Sequence, residues 1–392
     1  METGSAAPRD GQGPLAQYVL SDAESRRIFE EEIVPAELGH LADHTDADAD
    51  ADAEPPAGDG QDGGGGGGGG PVAVLLVGQT GAGKTRTAPL LAAAMSGSSS
   101  GTRRPRVAHL IADTYKTYHP AYASLAAQRP TLASPATGPD ARRWLAMACG
   151  LAAARGADCV VESACRHPAD FEDLVRLFAS SSSSSQNKRY AVRVVVLAVP
   201  EALSRLGILV RFHHALPEAR SGRLPLRLTP VPVHDATFAG LLDAAAWLDG
   251  GGDDGVPADD VVVLRRGNRV AYSYSRRPCL SSSSSPAAAT AAAGESSAVG
   301  PALLRERRRP LTPEELRLRV AGAELDALRS LAGADRPQLG AQVAEVEELL
   351  RGLESPPPPP ATCGDGAGDC DGPFPDLQPF NPEAFVKHGR SV

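Results

Sequence analysis

The sequence lacks the features of a membrane or secreted protein. Its 392 residues contain no apolar run near the roughly 18 residues that a membrane helix needs. The stretch from Met1 to Gln17 lacks the basic start and apolar stretch of a signal peptide. The six cysteines form no C-x-x-C pair and no His/Cys cluster at zinc spacing. These absences predict a soluble, cytoplasmic protein without a structural metal.

Positive charge is also scarce. The chain carries 39 basic and 48 acidic residues, a formal net charge of -9. Nucleic acids and anionic membranes attract positive protein surfaces, so neither is expected as the main partner. A negatively charged nucleotide would need a local positive site.

Low-complexity segments divide the chain, because such compositions bury too little apolar surface to offset the entropy of ordering. Alternating aspartates from Asp46 to Asp52 suggest a calcium loop, but they lack the glycine and glutamate that an EF-hand requires, and a solvated acidic linker is the better interpretation. The predicted organisation is an N-terminal helix over 14–40, an acidic and glycine-rich linker over 41–70, a core domain over 71–280, a linker over 281–300, a helical hairpin over 301–354 and a disordered Pro/Gly-rich tail over 355–392.

The core domain alternates strand-like and helix-like segments. Helical segments such as 144–154 and 171–179 are rich in alanine and leucine. The β-branched runs between them cover 72–77, 107–111, 159–161, 192–199 and 261–264. This order predicts an α/β fold of the P-loop NTPase type, with a mostly parallel sheet flanked by helices and ligands at the carboxyl ends of its strands.

Capping patterns mark helices at both ends of the chain. Ser21 and Glu24 form a capping box, and that helix is expected to end before Pro35. Near the C-terminus, Thr312 to Glu315 predicts a second helix start. Apolar residues from Leu339 to Leu353, spaced by four and three, predict a helix packed on the core.

A complete phosphate-binding pattern follows the first strand. In such a loop the glycines let backbone N–H groups converge on phosphates at a helix N-terminus, the lysine reaches the β- and γ-phosphates, and the threonine holds Mg²⁺. Pro89 should kink the helix that follows. The candidate nucleotide-binding residues are Gly78, Gln79, Thr80, Gly81, Ala82, Gly83, Lys84 and Thr85.

Acidic residues follow the next two strands. Asp113 is a candidate base for an acceptor hydroxyl or a Mg²⁺ ligand through water, although a helix N-cap is also consistent with its position. Glu162 is a candidate Walker-B-like group or substrate contact, and Arg166 a phosphate contact. His119, before Pro120, is either a ligand or a buried hydrogen-bonded residue.

Arginines cluster between residues 205 and 227. A lid that brings guanidinium groups onto a transferring phosphate is one interpretation, and a solvated basic face is the other. The five arginines are Arg205, Arg211, Arg220, Arg223 and Arg227.

Taken together, these motifs resemble the zeta toxin family of P-loop kinases over about residues 71 to 275. The ordered set is Gly78 to Thr85, Asp113-x-x-Lys116-x-x-His119-Pro120, Val161-Glu162-x-x-x-Arg166, Ala198-Val199-Pro200, Leu206-Gly207 with Arg211, Arg227-x-Thr229-Pro230, and His234-Asp235. The resemblance implies transfer of phosphate from ATP, with Mg²⁺, to the 3′-hydroxyl of the amino-sugar in UDP-N-acetylglucosamine. It also implies a small antitoxin-like inhibitor protein.

The resemblance also implies roles for particular residues. Lys84 would bind phosphate, Thr85 would hold Mg²⁺, and Asp113 would be the base. Glu162 would bind the sugar nucleotide, while Arg211 and Arg227 would stabilise the transferring phosphate. Ala164 replaces a small hydroxyl residue that often contacts substrate in the family. A kinase for another hydroxylated metabolite and a non-catalytic nucleotide-binding scaffold are therefore the alternatives.

Overall fold

The computed structural model describes most of the core domain and parts of both ends. It covers residues 15–41, 70–97, 107–183, 188–220, 228–250, 258–276, 298–312, 315, 326, 328–330, 337–352 and 377–388. None of the helices found within these residues is both long and apolar enough to cross a membrane.

The helices vary from single turns to seven turns. They are α1 (Asp22–Ile28), which continues as a π-helix (Phe29–Leu38), α2 (Lys84–Ser96), α3 (Ala112–Tyr115), α4 (Tyr122–Gln128), α5 (Pro130–Ala154), α6 (Pro168–Ser180), α7 (Glu201–Arg220), α8 (Val231–Gly250), α9 (Val299–Arg308), α10 (Pro337–Gly352) and α11 (Pro382–His388). Short 3-10 turns cover Ala16–Tyr18, Gly39–Leu41 and Lys116–Tyr118.

One mixed sheet forms the centre of the described structure. The strands are β1 (Val72–Val77), β2 (Val107–Ile111), β3 (Asp158–Ser163), β4 (Ser182–Ser183), β5 (Lys188–Arg189), β6 (Ala191–Ala198), β7 (Asp260–Arg265) and β8 (Arg269–Ser275). The sheet order is β2-β3-β1-β6-β7-β8, and only the β7–β8 pair in it is antiparallel. The predicted α/β fold is confirmed, and the order places β3 beside the strand that leads into the phosphate-binding loop, with β2 on the far side of β3.

Apolar side chains cover both faces of the sheet. On one face, α5 and α6 contribute Trp144, Phe171 and Phe178 to a buried cluster. On the other, Leu91 of α2 packs with apolar residues of α7, α10 and α11. This second layer fixes the helix that begins at the phosphate-binding loop.

The N-terminal helix is longer than predicted. The Ser21 hydroxyl accepts a hydrogen bond from Glu24 N at 3.2 Å, which confirms the cap. The expected end before Pro35 is wrong, because a π-helix carries the chain through Pro35 to Leu38. Burial of Ile33 and Leu38 against the core holds this segment despite the missing proline N–H.

The predicted capping box at Thr312 is confirmed. Thr312 N donates to Glu315 Oε2 at 2.9 Å, and Glu315 N donates to Thr312 Oγ1 at 3.1 Å.

Helix α10 packs on the core as predicted. Leu339, Val343 and Leu350 are buried, in agreement with their spacing. Leu353 lies outside the described residues.

The predicted disordered tail is wrong for residues 377–388. Val270 N donates to Gln378 O at 2.9 Å, and Phe380 N donates to Asn268 O at 2.8 Å, so the segment pairs with the start of β8. Helix α11 then packs on α2, and Phe385 is 1% exposed. We call residues 377–388 the C-terminal strap.

Candidate active site

The phosphate-binding loop joins β1 to α2. Gly81 and Gly83 have φ angles of 84° and 102°, in the left-handed region that glycine adopts without strain. Helix α2 begins at Lys84, so the backbone N–H groups of its first turn have no partner within the helix. Thr85 is exposed at this turn. The helix continues through Pro89 to Ser96, and Pro89 lies on its exposed side.

Helix α7 packs directly on the loop. A Cβ atom added at Gly81 would lie 1.9 Å from Ser204 O, and one added at Gly207 would lie 2.5 Å from Gly81 O. Only glycine fits at both positions. The Leu206-Gly207 motif therefore has a structural reason, since it lets the backbone of α7 support the loop.

We expect Gly207→Ala to weaken both stability and nucleotide binding. The added methyl group must displace the backbone of Gly81, so unfolding should become easier by about 2 kcal/mol or more. The matched control is Gly150→Ala in α5, where an added Cβ meets no atom within 4 Å. That change should stabilise by up to about 1 kcal/mol through helix propensity. Thermal unfolding with and without ATP measures both, and similar effects of the two variants would contradict the contact.

Lys84 lies at the centre of the candidate site. Its Nζ donates to Gly78 O at 2.6 Å, so the side chain folds back over the loop. Burial lowers the pKa of the Lys84 ammonium, while the carboxylates of Glu162 and Asp113 oppose this shift. The strand register agrees with this proximity, because Leu76, just before the loop, lies opposite Glu162.

The two candidate carboxylates differ in exposure. The Asp113 side chain is 77% exposed and pairs with Lys116, whose Nζ also donates to Ser134 Oγ at 2.7 Å. The Glu162 side chain is only 8% exposed. Ile111 lies opposite Glu162 in the β2–β3 register, so both acids are near the same sheet edge. Asp113 can meet an entering acceptor, and Glu162 can form the floor beneath it.

A histidine that sequence reasoning missed contacts Glu162. His109 Nε2 lies 2.9 Å from Glu162 Oε1, and the imidazole is 39% exposed. His109 stands in the middle of β2, where the sequence shows an ordinary strand. Only the register of two strands separated by about fifty residues brings this pair together.

Comparison with known proteins identifies the family. The family model described as Zeta toxin matches residues 67–277, more than half of the chain. The chain belongs to the zeta toxin family. No curated protein matches it.

Two solved structures are similar to this chain. A chain from the PezAT chromosomal toxin–antitoxin system of the human pathogen Streptococcus pneumoniae aligns with a TM-score of 0.50 and 16% identity, covering 79% of this chain and 98% of that one. A putative kinase from Chloroflexus aurantiacus aligns with a TM-score of 0.28 and 14% identity, covering 43% of this chain and 77% of that one. At 16% identity, the likeness to the PezAT chain shows a shared fold.

Two residues of the zeta toxin motifs do not face the site in the same way. His119 is buried, its Nδ1 accepts from Ala121 N at 3.1 Å, and its Nε2 bonds Tyr18 O at 3.0 Å. It is the buried, hydrogen-bonded histidine of the two interpretations, and we do not propose it as a substrate contact. Arg166, in contrast, is exposed after Cys165. Burial raises the pKa of the Cys165 thiol to about 12, so that thiol stays protonated.

The arginine segment of the zeta toxin chain is only partly described. Arg211 is exposed on α7, and its Nη2 donates to Thr229 Oγ1 at 3.1 Å, which ties two family motifs together. Its charge also contributes to lowering the pKa of Lys84, which places it near the loop. Arg223, Arg227 and the side chain of Arg220 lie outside the part of the chain that the structure describes. A role for Arg227 therefore stays a prediction.

A buried arginine from α9 supports the loop. Arg307 Nη2 donates to Gln79 Oε1 at 3.1 Å, and Gln79 Nε2 donates to Val199 O at 2.7 Å. The Gln79 side chain therefore bridges Arg307 and the backbone at Val199, which holds the loop in position. Burial lowers the pKa of the Arg307 guanidinium to about 10, a value at which it remains charged at neutral pH. Sequence reasoning missed Arg307 because 228 residues separate it from Gln79.

A second polar cluster lies behind the loop. Glu201, His234 and Asp235 place potential metal ligand atoms within 4.8 Å of one another. The Arg205 guanidinium lies 2.8 Å from Glu201 and 2.9 Å from Asp235, so it already balances the negative charge of these carboxylates. The His234-Asp235 motif is thus an ion-pair network, and Ser204 Oγ, 2.8 Å from His234 Nε2, links it to α7.

This network predicts acid sensitivity. Burial lowers the pKa of His234 from its ordinary value of 6.5, although Asp235 opposes the shift. Below pH 6.5 the unfolded chain takes up a proton that the folded chain does not, so stability falls as pH falls, by at most about 1.4 kcal/mol per pH unit. His234→Gln should flatten the decline between pH 6.5 and 5. The control is His40→Gln at an exposed site. Equal slopes for His234→Gln and wild type in denaturant titrations would refute this origin.

Proposed function

We propose that the chain is an ATP-dependent kinase that phosphorylates the 3′-hydroxyl of the amino-sugar of UDP-N-acetylglucosamine. Family membership and the P-loop fold support a P-loop kinase. The observation that carries the proposal is the strand register: Glu162 lies opposite Leu76, which precedes the phosphate-binding loop, and opposite Ile111, which precedes Asp113. A binding scaffold needs no exposed carboxylate beside the phosphate lysine, whereas transfer to a hydroxyl does.

The residues of the loop fit a nucleotide triphosphate and Mg²⁺. Gly81 and Gly83 adopt left-handed conformations and carry no side chain, and the space beside Gly83 is open, so a phosphate can approach the backbone there. Lys84 can turn from Gly78 O to the β- and γ-phosphates. Thr85, exposed at the start of α2, would hold Mg²⁺. The metal would supply charge that stabilises the phosphate oxygens.

Asp113 would accept the proton of the acceptor hydroxyl. As the sugar oxygen bonds to the γ-phosphorus, the bond from that phosphorus to the β–γ bridging oxygen breaks and ADP leaves. The proton of the hydroxyl passes to the Asp113 carboxylate. Glu162 would accept a hydrogen bond from the sugar nucleotide, and exposed Arg166 would contact its phosphates. Arg211, together with Arg227, would offset charge on the transferring group.

A product assay tests the proposal. Incubation with ATP, Mg²⁺ and UDP-N-acetylglucosamine should yield ADP and a sugar nucleotide heavier by one phosphoryl group, detected by mass spectrometry. A folded preparation that binds ATP but forms no such product would refute the acceptor.

A kinase for another hydroxylated metabolite is the second candidate. The observation that favours it is Ala164, which stands between Ser163 and Cys165 at the sheet edge without the hydroxyl that family members often use there. Sugars and antibiotics offered in the same assay separate the two. Phosphorylation of one of these in place of UDP-N-acetylglucosamine would identify this alternative.

We further propose a small antitoxin-like protein as an inhibitor. The PezAT structure comes from a toxin–antitoxin system, which supports the idea by analogy. Suppression of turnover by such a helical protein at equimolar concentration would be the expected result.

A further inference from the structure

His109, the hydrogen-bond partner of Glu162, has no role in the proposed function. His109 and Ile111 are two residues apart in β2, so their side chains lie on the same face of the strand. Ile111 is paired with Glu162 across the β2–β3 register. The imidazole therefore reaches the carboxylate from the neighbouring strand, and the bond joins Nε2 to Oε1 at 2.9 Å.

His109 and Glu162 differ in how far their side chains are exposed to solvent. Glu162 is 8% exposed and His109 is 39% exposed, so the pair runs from the buried floor of the site to its open side. One carboxylate oxygen is occupied by the imidazole, which leaves Oε2 as the second acceptor. A hydrogen bond to one oxygen also fixes the rotation of the carboxyl group, since Glu162 would otherwise turn freely about its terminal bond.

Charge gives the pair a further consequence. A sugar nucleotide brings a diphosphate to an edge that already carries Asp113 and Glu162. An N–H donor on Glu162 spreads its negative charge and reduces repulsion of an anionic acceptor. Lys84 and Lys116 also offset this negative charge: Lys84 interacts with both acids, and Lys116 is hydrogen-bonded to Asp113.

We propose that His109 is a positioning residue that orients the Glu162 carboxylate for the acceptor. This inference rests on the proposed function. It assigns His109 to acceptor recognition and not to nucleotide binding, because the imidazole reaches the site through the β2–β3 edge. If the pair only stabilised the fold, replacement of His109 would change the acceptor KM little, since partly exposed pairs contribute little to stability.

Kinetics with two variants test the role. His109→Leu should raise KM for the acceptor about tenfold, as expected for the loss of one charge-assisted hydrogen bond, with kcat changed less than about threefold. His109→Gln, which keeps an N–H donor, should recover most of the loss. KM for ATP should stay constant, and exposed His40 offers the control His40→Leu. Unchanged KM for the acceptor, or equal changes in KM for both substrates, would overturn the inference.

A spectroscopic measurement tests the pair without catalysis. In ¹⁵N spectra of the histidine rings, Glu162→Ala should shift the His109 Nε2 signal, because the acceptor of its hydrogen bond is lost. Unchanged ring signals would overturn the pairing even in an active enzyme. Absence of product from the wild-type chain would refute the proposed function and with it the acceptor role.

Discussion

Asp113→Asn should lower phosphoryl transfer by about a thousandfold, the scale of a lost general base, while ATP still binds. The amide keeps the size of the carboxylate but cannot take the proton of the acceptor hydroxyl. The expected change is therefore in kcat, with the Kd for ATP close to that of wild type. Lys116 would lose its charged partner, so thermal unfolding is measured alongside to show that the fold is intact.

The matched control is Asp243→Asn, an exposed aspartate on α8 outside the candidate site. It should leave turnover unchanged. If Asp113→Asn turns over as fast as this control, Asp113 is not the base and the proposed chemistry is wrong. If wild type and variant both bind ATP without turnover, the scaffold alternative gains support.

Phe385→Ala should produce the largest loss of stability among single changes in the C-terminal strap. Its ring is 1% exposed and packs on Phe380 at 5.4 Å between centroids. Truncation leaves a cavity beneath α2, which should lower the free energy of unfolding by about 3–5 kcal/mol. The backbone O of Phe385 also accepts a hydrogen bond from Arg193, so displacement of the strap would remove one partner of a buried guanidinium that Asp260 still pairs with.

The effect should extend to nucleotide binding, because α11 packs on the helix that begins with Lys84. Chemical denaturation and ATP titration measure the two consequences. Leu90→Ala is the control, since Leu90 lies on the same helix α2 but is 45% exposed. Equal losses from both changes would show that the strap does not support the core.

Local patterns predicted the parts of the fold that depend on local chemistry. β1 and β2 have the predicted bounds because continuous β-branched runs are typical of strands buried on both faces. The role of the loop glycines could be predicted because backbone N–H groups must approach the phosphates closely. β8 was missed because this half-exposed strand lacks the continuous apolar run by which the other strands were predicted, although Val270, Tyr272 and Tyr274 alternate with small or polar residues.

Long-range packing explains what the sequence did not reveal. Composition suggested a disordered tail, yet the strap is ordered by Phe380 and Phe385 binding a surface distant in the chain. The Arg307–Gln79 and His109–Glu162 contacts depend on the register and placement of separate elements. No spacing rule within a single segment can predict such pairs.

The most direct test is the fate of the γ-phosphate in a single turnover with ATP, Mg²⁺ and UDP-N-acetylglucosamine. If Asp113, Glu162 and Lys84 form a transfer site, ADP and phosphorylated sugar nucleotide should appear in equal amounts, with little free phosphate. Release of the γ-phosphate only as inorganic phosphate, or no release from bound ATP, would contradict a kinase acting on this acceptor.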